Sequence, residues 1–260
     1  MIVFAAIMPH PPESIPGIGN KESFKAIQKT LQAFDKLRIG LEKADPETIV
    51  IISPHAHMEK YSFVINSANK LVGDFTQFVL EKEFTYVNDI EIVEELFSAC
   101  TVKELPAQLY EDPLDYGALI PLYHLTKKIK PKIVHLSFSF MDYDFHYRYG
   151  QILQRIIDDN TQKRIAIIAS GDLSHKLSLK SPAGFSPKAQ DFDRMVLRYL
   201  KEDDIQSIMK FKKQFLSEIS ECGISAFVIL FGVLHGKKYK FKLLSYEGPL
   251  GIGYLTARLL

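Results

Sequence analysis

The chain has 260 residues, 47% of them hydrophobic, and its 32 basic residues almost balance its 31 acidic ones. Such a composition is typical of a globular protein with a large core. The formal net charge of +1 argues against a nucleic-acid-binding protein or one that binds anionic membrane surfaces, because such proteins carry an excess of basic residues. Two cysteines are too few for a disulfide framework or a four-cysteine zinc cluster.

The first apolar segment, Met1–Met8, ends at once in the Pro-His-Pro-Pro sequence of residues 9–12. It is too short for the apolar part of a secretion signal, and no basic region precedes it. Elsewhere, no apolar run approaches the ~20 residues that span a bilayer. Together with the low cysteine count, these features lead us to expect a soluble, cytoplasmic protein with no membrane or nucleic-acid partner.

Short apolar runs rich in β-branched residues predict the central strands of a sheet. The four clearest, in chain order, are Ile2–Met8, Thr48–Ser53, Lys132–Ser137 and Arg164–Ser170. Because these runs are apolar on both faces, we expect them to be parallel strands covered by helices.

Segments with apolar residues at helical spacing lie between and after these strands. They are Lys21–Lys43, Ile90–Ala99, Tyr147–Ile157, Ala189–Leu200 and Ile224–Leu234. The alternation predicts an α/β sandwich, formed as a single domain over residues 1–260, with a mostly parallel or mixed central sheet flanked by helices.

Four further segments are expected at the edges of the sheet. Tyr61–Asn66 and Phe75–Leu80 are predicted to form a hairpin or edge strands in the first half of the chain. Tyr239–Glu247 and Gly253–Ala257 are predicted to close the sheet at the end of the chain, since so apolar a segment is expected to dock.

Three of the predicted strands end in a segment that carries a histidine. His10 follows the first strand, His55 the second, and His175 the strand that ends at Ser170. One histidine at a strand end is usually a surface or capping residue. Ligands bind outside the carboxyl ends of the strands in open α/β sheets, so three such histidines are expected to converge on one pocket.

These histidines suggest a particular chemistry. Two histidines and a carboxylate on one face of a metal ion form the ligand set of non-haem Fe(II) oxygenases, and a further histidine can take and return a substrate proton. His57 shares the face of His55 on an extended segment, where it could be a second ligand, but we favour a pocket-wall or solvent-facing histidine. His124, in an apolar helical run, and His135, inside a strand, are interpreted as core residues.

Five blocks of the sequence together resemble one known family. In order they are Ala5–Pro12 (AAIMPHPP), Ile49–His57 (IVIISPHAH), Asp115–Leu125 (DYGALIPLYHL), Ile167–Leu177 (IIASGDLSHKL) and Glu221–Gly232 (ECGISAFVILFG). They are similar to the class III extradiol dioxygenases, the LigB-like superfamily that includes the catalytic beta subunit of protocatechuate 4,5-dioxygenase. Within it, the chain most resembles the branch of AmmeMemoRadiSam system protein B and the Memo-like proteins.

This resemblance implies roles for individual residues. It makes His10 and His55 metal ligands and His175 the catalytic acid and base, and it places the third ligand in the last block. There we choose Glu221, which would complete a set of two histidines and a carboxylate. Cys222 competes with it, because Memo-like relatives carry a cysteine near this point, and a thiolate would favour zinc or copper over iron.

The middle block departs from the family pattern. Dioxygenases of this class carry a histidine before its glycine, where this chain has Tyr116, a hydrogen-bond donor but a poorer proton carrier at neutral pH. We expect Tyr116 and His57 to contact the substrate. Asp115 either orients a neighbour or caps the next helix, and Asp172 either supports the site or forms a turn.

The resemblance implies an oxidoreductase that uses Fe(II) and O2 to cleave a catechol-type aromatic ring, with Zn(II) as the alternative metal. The second hypothesis is a Memo-like, metal-binding accessory protein of a radical-SAM-linked modification system without ring-cleaving activity. A zinc hydrolase is a third that no residue favours. By resemblance alone, the partners would be a small aromatic substrate, a second copy in a homodimer, and a radical-SAM protein.

Overall fold

The computed structural model describes residues 1–160 and 162–260. Within these ranges the strands are β1 (Ile2–Met8), β2 (Thr48–Ile52), β3 (Phe63–Asn66), β4 (Lys70–Phe75), β5 (Leu80–Val87), β6 (Ala107–Tyr110), β7 (Lys132–Leu136), β8 (Ile165–Ser170), β9 (Lys242–Glu247) and β10 (Tyr254–Arg258). The α-helices are α1 (Lys21–Ala26), α2 (Gln28–Ala44), α3 (Ile90–Val102), α4 (Tyr116–Leu125), α5 (Tyr143–Asp159), α6 (Ala189–Glu202), α7 (Ile205–Met209), α8 (Lys213–Ile219) and α9 (Ile224–Val233).

Eight of the strands form one mixed sheet in the order β6-β3-β7-β2-β8-β1-β10-β9. The four central strands, β7, β2, β8 and β1, are parallel. At one edge β10 and β9 add antiparallel, and at the other β3 runs antiparallel to β7. The α/β class, the four central strands and the closure of the sheet by the end of the chain are confirmed.

Helices cover both faces of this sheet because successive residues of its central strands point to opposite sides. In β1, Phe4, Ala6 and Met8 face a core shared with α2 and α4, whereas Ala5 and Ile7 face a core shared with α3, α5 and α9. None of the helices in the described ranges is both long and apolar enough to cross a bilayer.

Two predicted elements are corrected by the structure. The segment Lys21–Lys43 is two helices rather than one, because Ile27 leaves the helical conformation between α1 and α2. The expectation of a strand at Phe75–Leu80 is wrong. The Asp74 carboxylate accepts hydrogen bonds from the backbone and hydroxyl of Thr76, at 2.8 and 2.5 Å, and starts the turn that joins β4 to β5 in a separate two-stranded sheet.

Candidate active site

The site lies at the carboxyl ends of β1, β8 and β2, which are neighbours in the sheet. Met8 pairs with Ser170 and Ile52 with Ala169, so the three strands end level with one another. The segments that follow them therefore meet at one rim. The structure brings His10 and His55 together there, with their Nε2 atoms 3.1 Å apart.

Cys222 reaches the same rim from the loop before α9. A Cβ added to Gly171 would lie 2.2 Å from the Gly223 Cα, so only glycine allows the two backbones to approach so closely. The backbone NH of Cys222 donates to the Asp172 carbonyl at 3.3 Å, and its Sγ lies 3.7 Å from His10 Nε2.

Two overlapping groups of metal-ligating side chains result. The ligand atoms of His10, His55 and Cys222 all lie within 4.8 Å of one another, and so do those of Asp172, His175 and Cys222. In addition, Asp172 Oδ2 is 3.5 Å from His10 Nε2 and 3.8 Å from His175 Nε2. Five potential ligands thus lie in two groups that share Cys222 at the end of the sheet.

The orientation of His10 is set by Ser170, the last residue of β8. The Ser170 hydroxyl donates its proton to the Gly117 carbonyl at 2.6 Å, so it accepts from Nδ1–H of His10, 2.9 Å away. This leaves the Nε2 lone pair of His10 directed towards His55 and Cys222, as a metal ligand requires.

His175 is oriented in the same way. Its Nδ1 lies 3.2 Å from the Leu173 carbonyl, an acceptor, so Nδ1 carries the proton when the ring is neutral. Its Nε2 then has a free lone pair on the side of Asp172. The imidazole is thereby prepared to accept a proton at Nε2.

Tyr116 packs against His55. The two rings stack with centroids 4.3 Å apart, and the Tyr116 hydroxyl is hydrogen-bonded to His55 Nε2 at 2.8 Å. The Tyr116 phenol therefore contacts a potential metal ligand and borders the space next to that ligand.

Asp115 anchors Tyr116 at the start of α4. Its Oδ1 caps the helix by accepting from the Gly117 and Ala118 NH groups, and it also accepts from the Ser53 hydroxyl at 2.6 Å. Its Oδ2 accepts from His135 Nε2 at 2.9 Å. Asp115 therefore both caps a helix and joins the end of β2 to Tyr116.

Burial shifts the pKa values of the potential ligands and of their neighbour Asp115. It lowers the pKa of His10 and lowers that of His55 to about 4, so both imidazoles are neutral at pH 7. Burial, with the neighbouring Asp172 carboxylate, raises the pKa of the Cys222 thiol. Burial also opposes ionisation of Asp115, but the hydrogen bond and charge of His135 outweigh it and lower the pKa of that carboxyl.

These residues fit a transition-metal ion. Neutral imidazoles suit iron, copper, nickel and zinc, whereas a sulfur ligand adds a preference for zinc or copper(I). The raised pKa of the Cys222 thiol is no obstacle, since a coordinating thiol is deprotonated by the metal itself. His10, His55 and Cys222 are the three side chains that would hold the ion.

Two of the predicted site residues lie outside these groups. The Glu221 carboxyl accepts a hydrogen bond from the Ile224 NH at 2.8 Å, at the start of α9, and burial raises its pKa to about 7. His57 stacks on Tyr110 at 4.2 Å, and its Nε2 is 2.9 Å from Glu59.

Sequence reasoning missed the partners of the ligands. Ser170 stands in an apolar strand, and nothing near it in the chain signals His10, 160 positions away. From the sequence, His135 is interpreted only as a core residue. Its nearness to the site depends on the register of β7 on β2, where His135 pairs with Ile51.

Comparison with known proteins places this chain in a family. The model of the catalytic LigB subunit of aromatic ring-opening dioxygenases matches residues 4–257. Protein CA_C1420 of Clostridium acetobutylicum is 29% identical over 265 residues, 97% of this chain and 56% of that protein. The chain thus spans little more than half the length of this relative.

Two further relatives come from Escherichia coli. Its 3,4-dihydroxyphenylacetate 2,3-dioxygenase is 22% identical over 218 residues, covering 76% of this chain and 78% of the enzyme. The crystal structure of the uncharacterized protein JW3007 from strain K12 shares the fold, with a TM-score of 0.69, 16% identity and 99% coverage of both chains. The family model spans almost the whole sequence, and the chain therefore belongs to the family of the catalytic LigB subunit of aromatic ring-opening dioxygenases.

Proposed function

We propose that this protein is an extradiol-type dioxygenase that opens a catechol-type ring with O2, using Fe(II) held by His10, His55 and Cys222. The observation that carries the proposal is the convergence of these ligands with His175 at one rim of the sheet. Membership of the LigB family and the similarity to a dihydroxyphenylacetate dioxygenase support it. In this reaction a carbon–carbon bond beside the diol breaks and both oxygen atoms enter the product, so no further oxidant is needed.

An Fe(II) ion at this site would supply the Lewis acidity and redox capacity that dioxygen chemistry requires. The protein contributes the movement of protons. His175 Nε2 accepts a proton from a substrate hydroxyl, and the Asp172 carboxylate, 3.8 Å away, stabilises the resulting imidazolium. The Tyr116 hydroxyl, placed beside His55, donates a hydrogen bond to a substrate oxygen.

Oxygen consumption by metal-loaded protein tests the proposal. Protein prepared without oxygen is loaded with Fe(II) or Zn(II) and mixed with a panel of catechols, while O2 uptake and the absorbance of ring-opened products are recorded. We expect one O2 per catechol with Fe(II) only. His175→Gln should slow turnover by about 100-fold or more with unchanged iron content, and the exposed His235→Gln control should not. Iron-loaded protein that consumes no O2 with any catechol would contradict the proposal.

A second candidate function is favoured by the sulfur ligand. Cys222, rather than a carboxylate, joins His10 and His55 within 4.8 Å, and thiolates suit zinc and copper(I). This donor set supports a metal-binding accessory protein that does not cleave rings, and the resemblance to Memo-like proteins suggests a radical-SAM enzyme as its partner. The same oxygen measurements decide between the two, because tight zinc or copper binding without turnover of any catechol would favour the accessory protein.

A further inference from the structure

A cavity of about 430 Å³ opens beside the ligand group. Cys222 and Pro54, the residue before His55, form its boundary with the site. About 150 Å³ is enough to hold a benzene ring, so the cavity has room for a ring with a sizeable substituent. A diol held at the rim would extend its substituent into this space.

Apolar side chains form most of the cavity wall. Met58, Phe138, Met141 and Leu216 line it, and Phe138 and Leu216 are buried. An ionised group enclosed among such side chains loses its hydration and needs a charged partner in return. The nature of the substituent therefore depends on which charges the wall provides.

Lys213 is the single cation among the described residues that line the cavity. Its ammonium group donates to the carbonyl oxygens of Phe140 and Met141 and pairs with the Asp142 carboxylate at 3.2 Å. An ammonium group has three N–H donors, so each donor of Lys213 already has an acceptor. Lys213 ties the loop before α5 to α8, and a substrate carboxylate would have to displace the Asp142 carboxylate to pair with it.

Glu221 is the single carboxyl group among the described residues that line the cavity. A carboxyl group gives no electrostatic attraction to an anionic substituent, whether it is protonated or ionised. The cavity thus combines a mostly apolar wall, a few hydroxyl groups, an occupied cation and an acid.

We propose that the substrate is a catechol whose ring carries an uncharged, apolar substituent, and not an aromatic carboxylate such as 3,4-dihydroxyphenylacetate. This inference rests on the proposed function, because it assumes that a diol binds at His10, His55 and Cys222. The apolar wall and the occupied Lys213 favour the neutral catechol over the carboxylate, and the volume of the cavity admits a larger neutral group.

Calorimetry on the Fe(II)-loaded protein in the absence of oxygen tests this inference with two probes, 4-butylcatechol and 3,4-dihydroxyphenylacetate. We expect the neutral catechol to bind at least about tenfold more tightly. Lys213→Gln should change neither affinity by more than about twofold, because the donors of its ammonium group are engaged by Phe140, Met141 and Asp142. Ser217→Arg, which places a free cation on the wall, should strengthen binding of the carboxylate about tenfold. Gln214→Arg, on the same helix but off the wall, should not.

Two results would overturn the inference alone. One is equal or tighter binding of 3,4-dihydroxyphenylacetate, and the other is a loss of about tenfold in its binding alone on Lys213→Gln, which would make Lys213 the anchor of a carboxylate. Failure of both catechols to bind, with iron still present, would contradict the proposed function and this inference with it.

Discussion

The two ends of α4 each lie beside a buried histidine hydrogen-bonded to a serine. Near its start, Gly117 accepts from Ser170, the partner of His10; near its end, His124 Nε2 is 2.9 Å from the Ser14 hydroxyl. His10 is 1% exposed and His124 6%, and burial lowers the pKa of both, that of His124 to about 3.

The two histidines differ in what faces the rest of the ring. His124 packs between the rings of Phe34 and Tyr123, with centroids 4.9 and 5.1 Å away. His10 instead turns its free Nε2 towards His55 and Cys222. Burial and a hydrogen bond to a serine are therefore also found at a structural histidine. The convergence of ligand atoms with free lone pairs is what distinguishes the candidate site.

Loss of metal is the largest effect expected from this difference. His10→Ala should weaken metal binding by more than about 100-fold, because even outer partners of ligands contribute 10- to 100-fold. His124→Gln should leave metal affinity within about twofold and reduce the free energy of unfolding by about 1 to 2 kcal/mol. Chelator competition and urea unfolding measure the two quantities. Equal metal affinities of the two variants would show that His10 is no more a metal ligand than His124 is.

The carboxylate at the start of α4 provides the next test. Asp115→Ala should reduce the free energy of unfolding by about 2 to 4 kcal/mol, because it removes a helix cap and leaves the Ser53 hydroxyl and His135 without their acceptor. The matched control is Asp204→Ala, which removes the partly exposed cap of α7 and should reduce the free energy of unfolding less than Asp115→Ala does.

Metal affinity of the same variants separates a site role from a cap role. Asp115→Ala should weaken metal binding about tenfold through Tyr116 and His55, and Asp204→Ala should not. If both variants lose the same stability and keep their metal, Asp115 is only a helix cap.

Two largely buried carboxyl groups, those of Asp193 and Asp115, are expected to make stability depend on pH in opposite directions. Asp193 is buried and accepts from the Ser174 NH and the Tyr246 hydroxyl, and burial raises its pKa from 3.8 to about 7. Between these pH values the folded state keeps the proton that the unfolded chain releases, so the stability contributed by Asp193 falls as pH rises. Asp115, with its lowered pKa, contributes stability that is lost as pH falls.

Urea unfolding of wild type and Asp193→Asn at pH 6 and pH 7 isolates this group. The wild type should lose about 1 kcal/mol relative to the variant over that interval. A difference between the two proteins that stays constant with pH would show that Asp193 is ionised in the folded state throughout.

Much of this arrangement follows from local sequence. The strands β1, β2 and β8 are almost wholly apolar and end in proline- or glycine-containing turns, so both their place in the sheet and the meeting of His10 and His55 at its rim could be predicted. Once these strands are predicted to be parallel, their carboxyl ends must lie at the same edge of the sheet, and so must the histidines that follow them.

Which of Glu221 and Cys222 faces His10 could not be predicted, because the two residues are adjacent and only the path of the backbone decides it. That path depends on the contact of Gly171 with Gly223, 52 residues apart in the chain. The pairs Ser170–His10 and His135–Asp115 depend on the strand register and the position of α4 in the same way. Local patterns specify which strand ends meet, and tertiary contacts specify which atoms face one another.

The smallest effect is expected at His57, two residues after His55 but turned towards Glu59 and Tyr110. Its side chain is 34% exposed, and exposed ion pairs contribute about 0 to 1 kcal/mol. His57→Gln should therefore change neither metal affinity nor the free energy of unfolding by more than about 0.5 kcal/mol. The space beside it, about 10 Å³, is too small for an aromatic ring. Catechol binding measured on this variant tests the substrate-binding role that its position after the strand suggests. A tenfold loss there with metal retained would mean that the polypeptide near His57 rearranges around the substrate, since the present geometry offers the ring no place beside it.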